Sequence, residues 1–330
     1  MGDYLAGIDI GGTKTAVILA RQSERAAPPE ILERIAFSTP VGAEAKRGPI
    51  QIQEALREAL ERRKLSPSDL AAIGASCGGP LDSENGLILS PPNLYGWDEL
   101  PIVRGLEEAF GVPSALQNDA DACALAEWRY GAGQGCRNMI FLTMGTGMGA
   151  GLILNGRLYS GTNGMGGEVG HTRLDRNGPV GYGKEGSFEG FCSGGGIAQV
   201  ARTRALELLQ TGKPASYCAT LEELPNITAR SVAEAAQAGH SDALAVWRET
   251  GERLGQGVSL LIDILNPERI VIGSIFQRSE TLLRESMELV IARETLSRNR
   301  SVCEIVPALL GDQIGDYAAL SVARYRLDNA

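Results

Sequence analysis

Two short glycine turns carry the groups best suited to hold phosphate. They are Asp9-Ile10-Gly11-Gly12-Thr13-Lys14 near the amino end and Gly145-Thr146-Gly147 in mid-chain. Glycine lets successive backbone N–H groups converge on phosphate oxygens, and the threonine hydroxyls add donors. Asp9, just ahead of the first turn, can hold Mg²⁺ directly or through water. Either turn alone reads equally well as a plain glycine hairpin. The two together, each flanked by apolar strands, favour a nucleotide polyphosphate gripped from both sides.

Asn118-Asp119 closes a strand and opens a helix. Asp119 reads as a helix N-cap, or as a carboxylate at a strand end, where α/β sheets handle ligands. In the second reading it takes a proton from an alcohol attacking a phosphoryl group. Further on, Glu168 and His171 lie three residues apart in Gly164-Met165-Gly166-Gly167-Glu168-Val169-Gly170-His171, and Glu189 follows another glycine run. Carboxylates and imidazole hydrogen-bond pairs of sugar hydroxyls, and such a site rejects analogues lacking them. Taken one by one these residues read better as solvated loop acids and a structural histidine; as a set embedded in glycine the two readings stand level.

The elements that must position these groups follow from periodicity and punctuation. Residues 4–10 and 15–20 read as strands whose short join requires an antiparallel hairpin, with a third strand at 31–39. A helix over 50–64 has apolar spacing at Ile52, Leu56 and Leu60. Next come a strand at 70–75, a helix at 103–110 ended by Gly111, a strand at 113–117 and a helix at 120–130. A second hairpin joins 138–143 to 150–154. Helices are expected at 197–210, 231–238, 242–265, 280–296 and 314–326, with strands at 269–273 and 302–306. The stretch 156–196 reads as irregular, and its length hints at function. Gly181, Gly183 and Gly186 form a G-x-G-x-x-G, but no strand precedes it as a dinucleotide fingerprint requires; it reads as loop. The order strand, turn, strand, strand, helix, strand, helix occurs twice, so two α/β lobes with a cleft between them are expected.

Composition narrows the function classes. The 330 residues carry a net charge of −9, against the electrostatic footprint of a nucleic-acid binder. No apolar run reaches membrane-spanning length, and the start Met1-Gly2-Asp3-Tyr4 shows no signal peptide. Six dispersed cysteines without a C-x-x-C, and two histidines, fit reduced thiols in a cytoplasmic protein and supply no zinc cluster. Glycine is the excess: 42 residues, 21 of them between 131 and 196, which points to close backbone approach in that stretch.

Taken together, these motifs resemble the ROK family (repressors, open reading frames and kinases), and within it the glucokinase-like sugar kinases. Asp9 to Lys14 is similar to the family's first phosphate motif and Gly145 to Gly151 to its second. Asn118-Asp119-Ala120-Asp121 with Ala124-Leu125-Ala126-Glu127 resembles the catalytic segment, and Gly167 to His171 the sugar-binding stretch. The resemblance runs through nearly the whole chain. It implies a two-lobed, actin-like ATPase (ribonuclease H-like) α/β fold with an interdomain cleft. The small lobe would be 1–117 plus 308–330 and the large lobe 118–307.

It also implies transfer of the γ-phosphate of ATP to a hexose hydroxyl, with Mg²⁺ and with Asp119 as general base. Gly79, Asn118, Asp119, Glu168, His171 and Glu189 would be the sugar contacts. Gly11, Gly12, Thr13, Lys14, Gly145, Thr146 and Gly147 would face the ATP phosphates, and Gly273 the adenosine. Glucose is the default acceptor, beside fructose, mannose, allose or an N-acetylated hexosamine. Many family members hold zinc on this histidine and three cysteines; Gly181 to Glu189 contains no cysteine, so zinc is not expected. Ser274 and Ile275 stand where further glycines are usual. A homo-oligomer, dimer or tetramer, is the family expectation. Two alternatives belong to other classes: a sugar-responsive repressor, disfavoured because Asp9 arrives with no room for a DNA-binding segment, and a sugar-binding protein without catalysis.

Overall fold

A computed structural model describes residues 2–23 and 27–329; Met1, residues 24–26 and Ala330 lie outside them. β1 (Tyr4–Ile10) turns at Gly11–Thr13 into β2 (Lys14–Arg21), and β3 (Glu30–Ser38) continues the antiparallel meander. α1 (Gly48–Arg62) buries Ile52, Leu56 and Leu60, the spacing of one helical face. It leads to β4 (Leu70–Cys77), which pairs with β1 in parallel. After the small hairpin of β5 (Leu81–Asp82) and β6 (Leu87–Ile88), α2 (Ile102–Phe110) stops at Gly111 in the left-handed conformation. β7 (Ser114–Asn118) pairs with β4 in parallel and runs directly into α3 (Asp119–Tyr130).

The pattern then repeats with β8 (Met139–Met144), β9 (Met148–Leu154) and β10 (Arg157–Tyr159). β11 (Val180–Gly181) and β12 (Lys184–Glu185) form a two-stranded hairpin. The helices α4 (Phe188–Cys192), α5 (Gly194–Gln210), α6 (Ala229–Gln237) and α7 (Ser241–Leu265) follow. β13 (Arg269–Ile272), α8 (Ile275–Glu294), α9 (Ser297–Arg300), β14 (Glu304–Pro307) and α10 (Ile314–Asp328) complete the chain. The two main sheets have strand orders β3-β2-β1-β4-β7 and β10-β9-β8-β13-β14. Each is an antiparallel meander followed by two strands added in parallel, which is the duplication expected from the element order.

Two expectations needed adjustment. The stretch 156–196 holds β10 to β12, α4 and the start of α5, so its glycines are divided among turns, short strands and helices rather than lying in one long loop. The helix expected at 280–296 begins at Ile275, because a non-helical residue, Ser279 (φ −128°), kinks its first turns and hides their periodicity.

The chain divides into two compact units, one of residues 1–137, 151–166 and 309–330, the other of 138–150 and 167–308. In the first, alternation along β1 sends Ala6, Ile8 and Ile10 to one face of the sheet. They pack there with Leu56, Ile73, Leu116, Trp97 and Phe110. Leu5, Gly7 and Asp9 point to the other face, where Leu5 packs with Leu320 and Ala323 of α10. Gly7 stands opposite Gly74 in the parallel register. A Cβ on Gly7 would lie 3.0 Å from the Leu320 nitrogen, and one on Gly74 would overlap the Ala323 nitrogen and the Ala319 carbonyl oxygen. The glycine pair is therefore the footprint of α10 on the sheet.

The entry to α10 is fixed as well. Glu127, fully buried in α3, accepts the N–H groups of Leu309 (3.0 Å) and Leu310 (2.9 Å) on one oxygen and that of Ala132 (2.7 Å) on the other. Three charge-assisted bonds compensate the desolvation of that carboxylate. Overpacking a close contact of the Gly74 kind typically costs about 1–3 kcal/mol. Gly74→Ala should destabilise the protein by at least that much, read as a lower urea midpoint with an unchanged slope; an unshifted midpoint would show that α10 does not press on the sheet.

Candidate functional site

The first unit gathers its candidate residues at one edge of its sheet. Parallel register aligns Ile10 with Cys77 and Cys77 with Asn118. The carboxyl ends of three strands thereby deliver Asp9 and the first glycine turn, Gly78-Gly79, and Asn118-Asp119 side by side. Strand ends of this kind are where open α/β sheets handle ligands. A Cβ on Gly79 would sit 3.3 Å from the Asn118 Nδ2, and one on Gly78 would sit 3.9 Å from the Asp119 Oδ2.

Asn118, not Asp119, is the N-cap of α3: its Oδ1 accepts the Ala120 N–H at 3.0 Å. Asp119 is the first helical residue and accepts the same N–H at 2.8 Å. Its side chain is open to solvent, yet the protein packed around the carboxyl raises its pKa, with the Ala120 N–H pulling weakly the other way. A carboxylate crowded but reachable is a better proton acceptor than a fully solvated one.

Asp9 faces the amino end of α10, where a Cβ on Gly315 would come within 2.7 Å of its Oδ2. Its pKa is pushed up from 3.8 to about 6, first by burial and then by the charges of Asp316 and Asp119, against a smaller opposing pull from Arg34. Arg34 Nε donates to both oxygens of the buried Asp316, at 3.0 and 2.8 Å. The adjoining turn is closed by Gly11 N–H to the Lys14 carbonyl (3.0 Å) and braced by Thr39, whose hydroxyl donates to the Gly11 carbonyl at 2.6 Å. Thr39 also meets the buried Thr15 hydroxyl at 2.8 Å. Thr13 and Lys14 are exposed on the turn.

The second unit holds the other candidates. The Gly145-Thr146-Gly147 turn joins β8 to β9 and is closed by Gly145 N–H to the Gly147 carbonyl at 3.0 Å. Glu189 supports it: Oε2 accepts the Met148 N–H at 2.9 Å and would lie 2.9 Å from a Cβ on Gly147. Glu189 stands in the first turn of α4, which Ser187 caps by accepting the Gly190 N–H. The carboxylate expected to bind sugar is thus bonded at the end of the Gly145–Gly147 turn.

Glu168 and His171 flank a single 3₁₀ turn, Val169–His171, in which the His171 N–H donates to the Glu168 carbonyl at 3.2 Å. Both residues are exposed. Gly273 follows β13 and donates its N–H to the Leu142 carbonyl. The following Ser274 adopts φ 59°, ψ −110°, a backbone conformation suited to glycine, and its hydroxyl would lie 3.5 Å from a Cβ on Gly145. Strain of this sort concentrates at functional sites.

Sequence reasoning missed several of these supports. Thr39, Arg34 and Asp316 touch the first turn or the Asp9 neighbourhood only through the tertiary fold, and no local motif announces them. Ser274 did carry a signal, since it stands where the resemblance leads one to expect a glycine. None of the six cysteines is in a disulfide. Among the described residues no cluster of three or more His, Cys, Asp or Glu side chains is arranged to hold a metal, and no helix is long and apolar enough to cross a membrane.

The raised pKa of Asp9 has a definite consequence for stability. The folded protein holds this proton more tightly than the unfolded chain, so the contribution of Asp9 to stability falls as pH rises from about 4 to about 6 and is level above that. Asp9→Asn removes the charge, and its advantage over the wild type should grow through the same window to about 2–3 kcal/mol. Urea unfolding of both proteins from pH 4 to 8 measures it. A constant difference across the range would contradict the assignment.

Comparison with known proteins agrees with this geometry. The model of the ROK family matches residues 5–325. A glucokinase of Halalkalibacterium halodurans is 31% identical over 94% of this chain and 92% of its own. Among solved structures, a ROK hexokinase from Thermus thermophilus is similar with a TM-score of 0.79 at 28% identity, covering 99% of this chain and all of that one. A ROK family glucokinase from Streptomyces griseus, in complex with glucose and AMPPNP, has a TM-score of 0.72 at 28% identity, covering 97% and 99% of the two chains. The paired sheets are those of the actin-like ATPase fold, and the chain belongs to the ROK family.

Proposed function

We propose that this protein is an ATP-dependent sugar kinase that transfers the γ-phosphoryl group of ATP to a hydroxyl of a hexose, with glucose as the first candidate. The observation that carries the reading is the carboxylate of Asp119. It stands at the carboxyl edge of the first sheet, in the same strand register as the Asp9–Lys14 turn, reachable by solvent and raised in pKa by the protein around it. Phosphoryl transfer asks the protein for positioning, charge neutralisation and a base near the acceptor, and each has a candidate.

Asp119 accepts the proton of the attacking hydroxyl as the oxygen bonds to phosphorus and the bond to ADP breaks. Asn118, Gly79, Glu168, His171 and Glu189 bind the sugar hydroxyls. The turns Gly11-Gly12-Thr13-Lys14 and Gly145-Thr146-Gly147 bind the polyphosphate through the Gly12 and Gly147 N–H groups with Thr13, Lys14 and Thr146, while the Gly11 and Gly145 N–H groups close the turns, and Gly273 borders the adenosine. Asp9 fits a Mg²⁺ ligand, because burial and the neighbouring Asp316 and Asp119 make its carboxylate one that a cation would relieve. Bound Mg²⁺ supplies neutralisation of phosphate charge.

Loss of a general base costs about 10²–10⁴-fold. Asp119→Asn should therefore lower kcat by that factor while the sugar dissociation constant, measured calorimetrically, stays within about threefold. ADP release from wild-type protein across hexoses and N-acetylhexosamines tests the class of acceptor. Near-normal turnover in the variant, or no acceptor in the panel, would sink the reading.

A further inference from the structure

The segment between His171 and Glu189 is unabsorbed by the function just described, and its bonding is unusual. It leaves the 3₁₀ turn at His171, runs out to the β11–β12 hairpin and returns to α4. Tyr182 (φ 45°) and Gly183 (φ 75°) form the hairpin's two-residue turn, both in the left-handed region, as a type I′ turn requires. The returning limb is stitched to the outgoing one. Leu174 and Asp175 donate their N–H groups to the Gly186 carbonyl at 2.9 and 3.1 Å, and the Phe188 N–H donates to the Thr172 carbonyl at 2.8 Å. Arg173 reaches the Glu185 carbonyl at 2.7 Å, and Arg253 on α7 pairs with Asp175 at 2.8 Å.

At the root of this strap Lys184 Nζ donates to the His171 carbonyl at 2.6 Å. Lys184 forms no ion pair among the described residues. With the His171 N–H already on the Glu168 carbonyl, both backbone polar groups of His171 are held while its ring is left exposed. The far end of the strap is Ser187, which caps the helix carrying Glu189.

We propose that the strap 172–187 is the device that positions His171 for the sugar, with Lys184 as its positioning residue. The inference rests on the sugar-binding reading of His171. A charge-assisted bond is stronger than a neutral one and short enough here to fix the carbonyl. Without it, the imidazole keeps its chemistry but loses the fixed backbone from which it reaches. A site loosened in this way binds its ligand more weakly.

Two variants and two readouts test this. Lys184→Met should raise the hexose KM about tenfold, the scale of a lost hydrogen bond to a charged group. The ATP KM and kcat should stay within about twofold, and Lys184→Arg should recover most of the loss. Independently of turnover, hydrogen–deuterium exchange of the backbone amides of residues 169–175 should accelerate in Lys184→Met and not in Lys184→Arg. Unchanged exchange with an unchanged hexose KM would overturn the proposal, as would equal rises in both KM values together with a lowered Tm. If the wild type phosphorylates no hexose, the functional reading fails and the exchange measurement alone decides the strap: acceleration supports it, and none overturns it.

Discussion

The close approach of α10 to the first sheet is the constraint on which the rest of that unit depends. Gly7 and Gly74 stand opposite each other in the parallel register, and any Cβ there would press into the helix backbone. Because side chains alternate along a strand, the same face that admits α10 at Gly7 presents Asp9 two residues later. The helix that covers the sheet thus brings its amino end against that carboxylate. Glu127 holds the entry to α10 with two backbone N–H groups, so the helix cannot slide along the groove the glycines leave.

The electrostatics of the site follow from this packing. Asp9 gains a helix amino terminus, which favours its charge, and also gains burial and the Asp316 and Asp119 carboxylates, which oppose it. The opposing effects win, as the raised pKa shows. Arg34 is spent on Asp316, bidentate through Nε, and leaves Asp9 as the under-compensated acid. An acid in that condition is poised for a cation, which is the basis of the proposed Mg²⁺ role. In the second unit the comparable economy is Glu189, whose one oxygen supports the Gly145–Gly147 turn while the residue stands at the end of the strap from His171.

Local chemistry was legible in the sequence, and tertiary support was not. The hairpins around Gly11–Lys14 and Gly145–Gly147 follow from apolar runs broken by glycine, and both occur, β1 pairing with β2 and β8 lying beside β9. The strand-to-helix change at Asn118-Asp119 was equally readable, although the cap is Asn118: only coordinates show which side chain turns back to the Ala120 N–H. The glycines at 181 and 183 read as loop because two-residue strands are too short to show alternation, and the hairpin is tied down by bonds to residues outside it, Arg173 and His171. Gly7 and Gly74 sat in strand patterns with no local mark of the helix that requires them. Arg34 and Asp316, 282 residues apart, could be paired only by the fold.

The account's central claim is chemical: phosphoryl transfer from ATP to carbon-bound oxygen of a sugar. The most direct measurement is ³¹P NMR of the wild-type protein with ATP, Mg²⁺ and glucose. A sugar phosphate-ester resonance should grow in step with ADP. Release of inorganic phosphate in its place, or an unchanged ATP spectrum with every hexose tried, would contradict it.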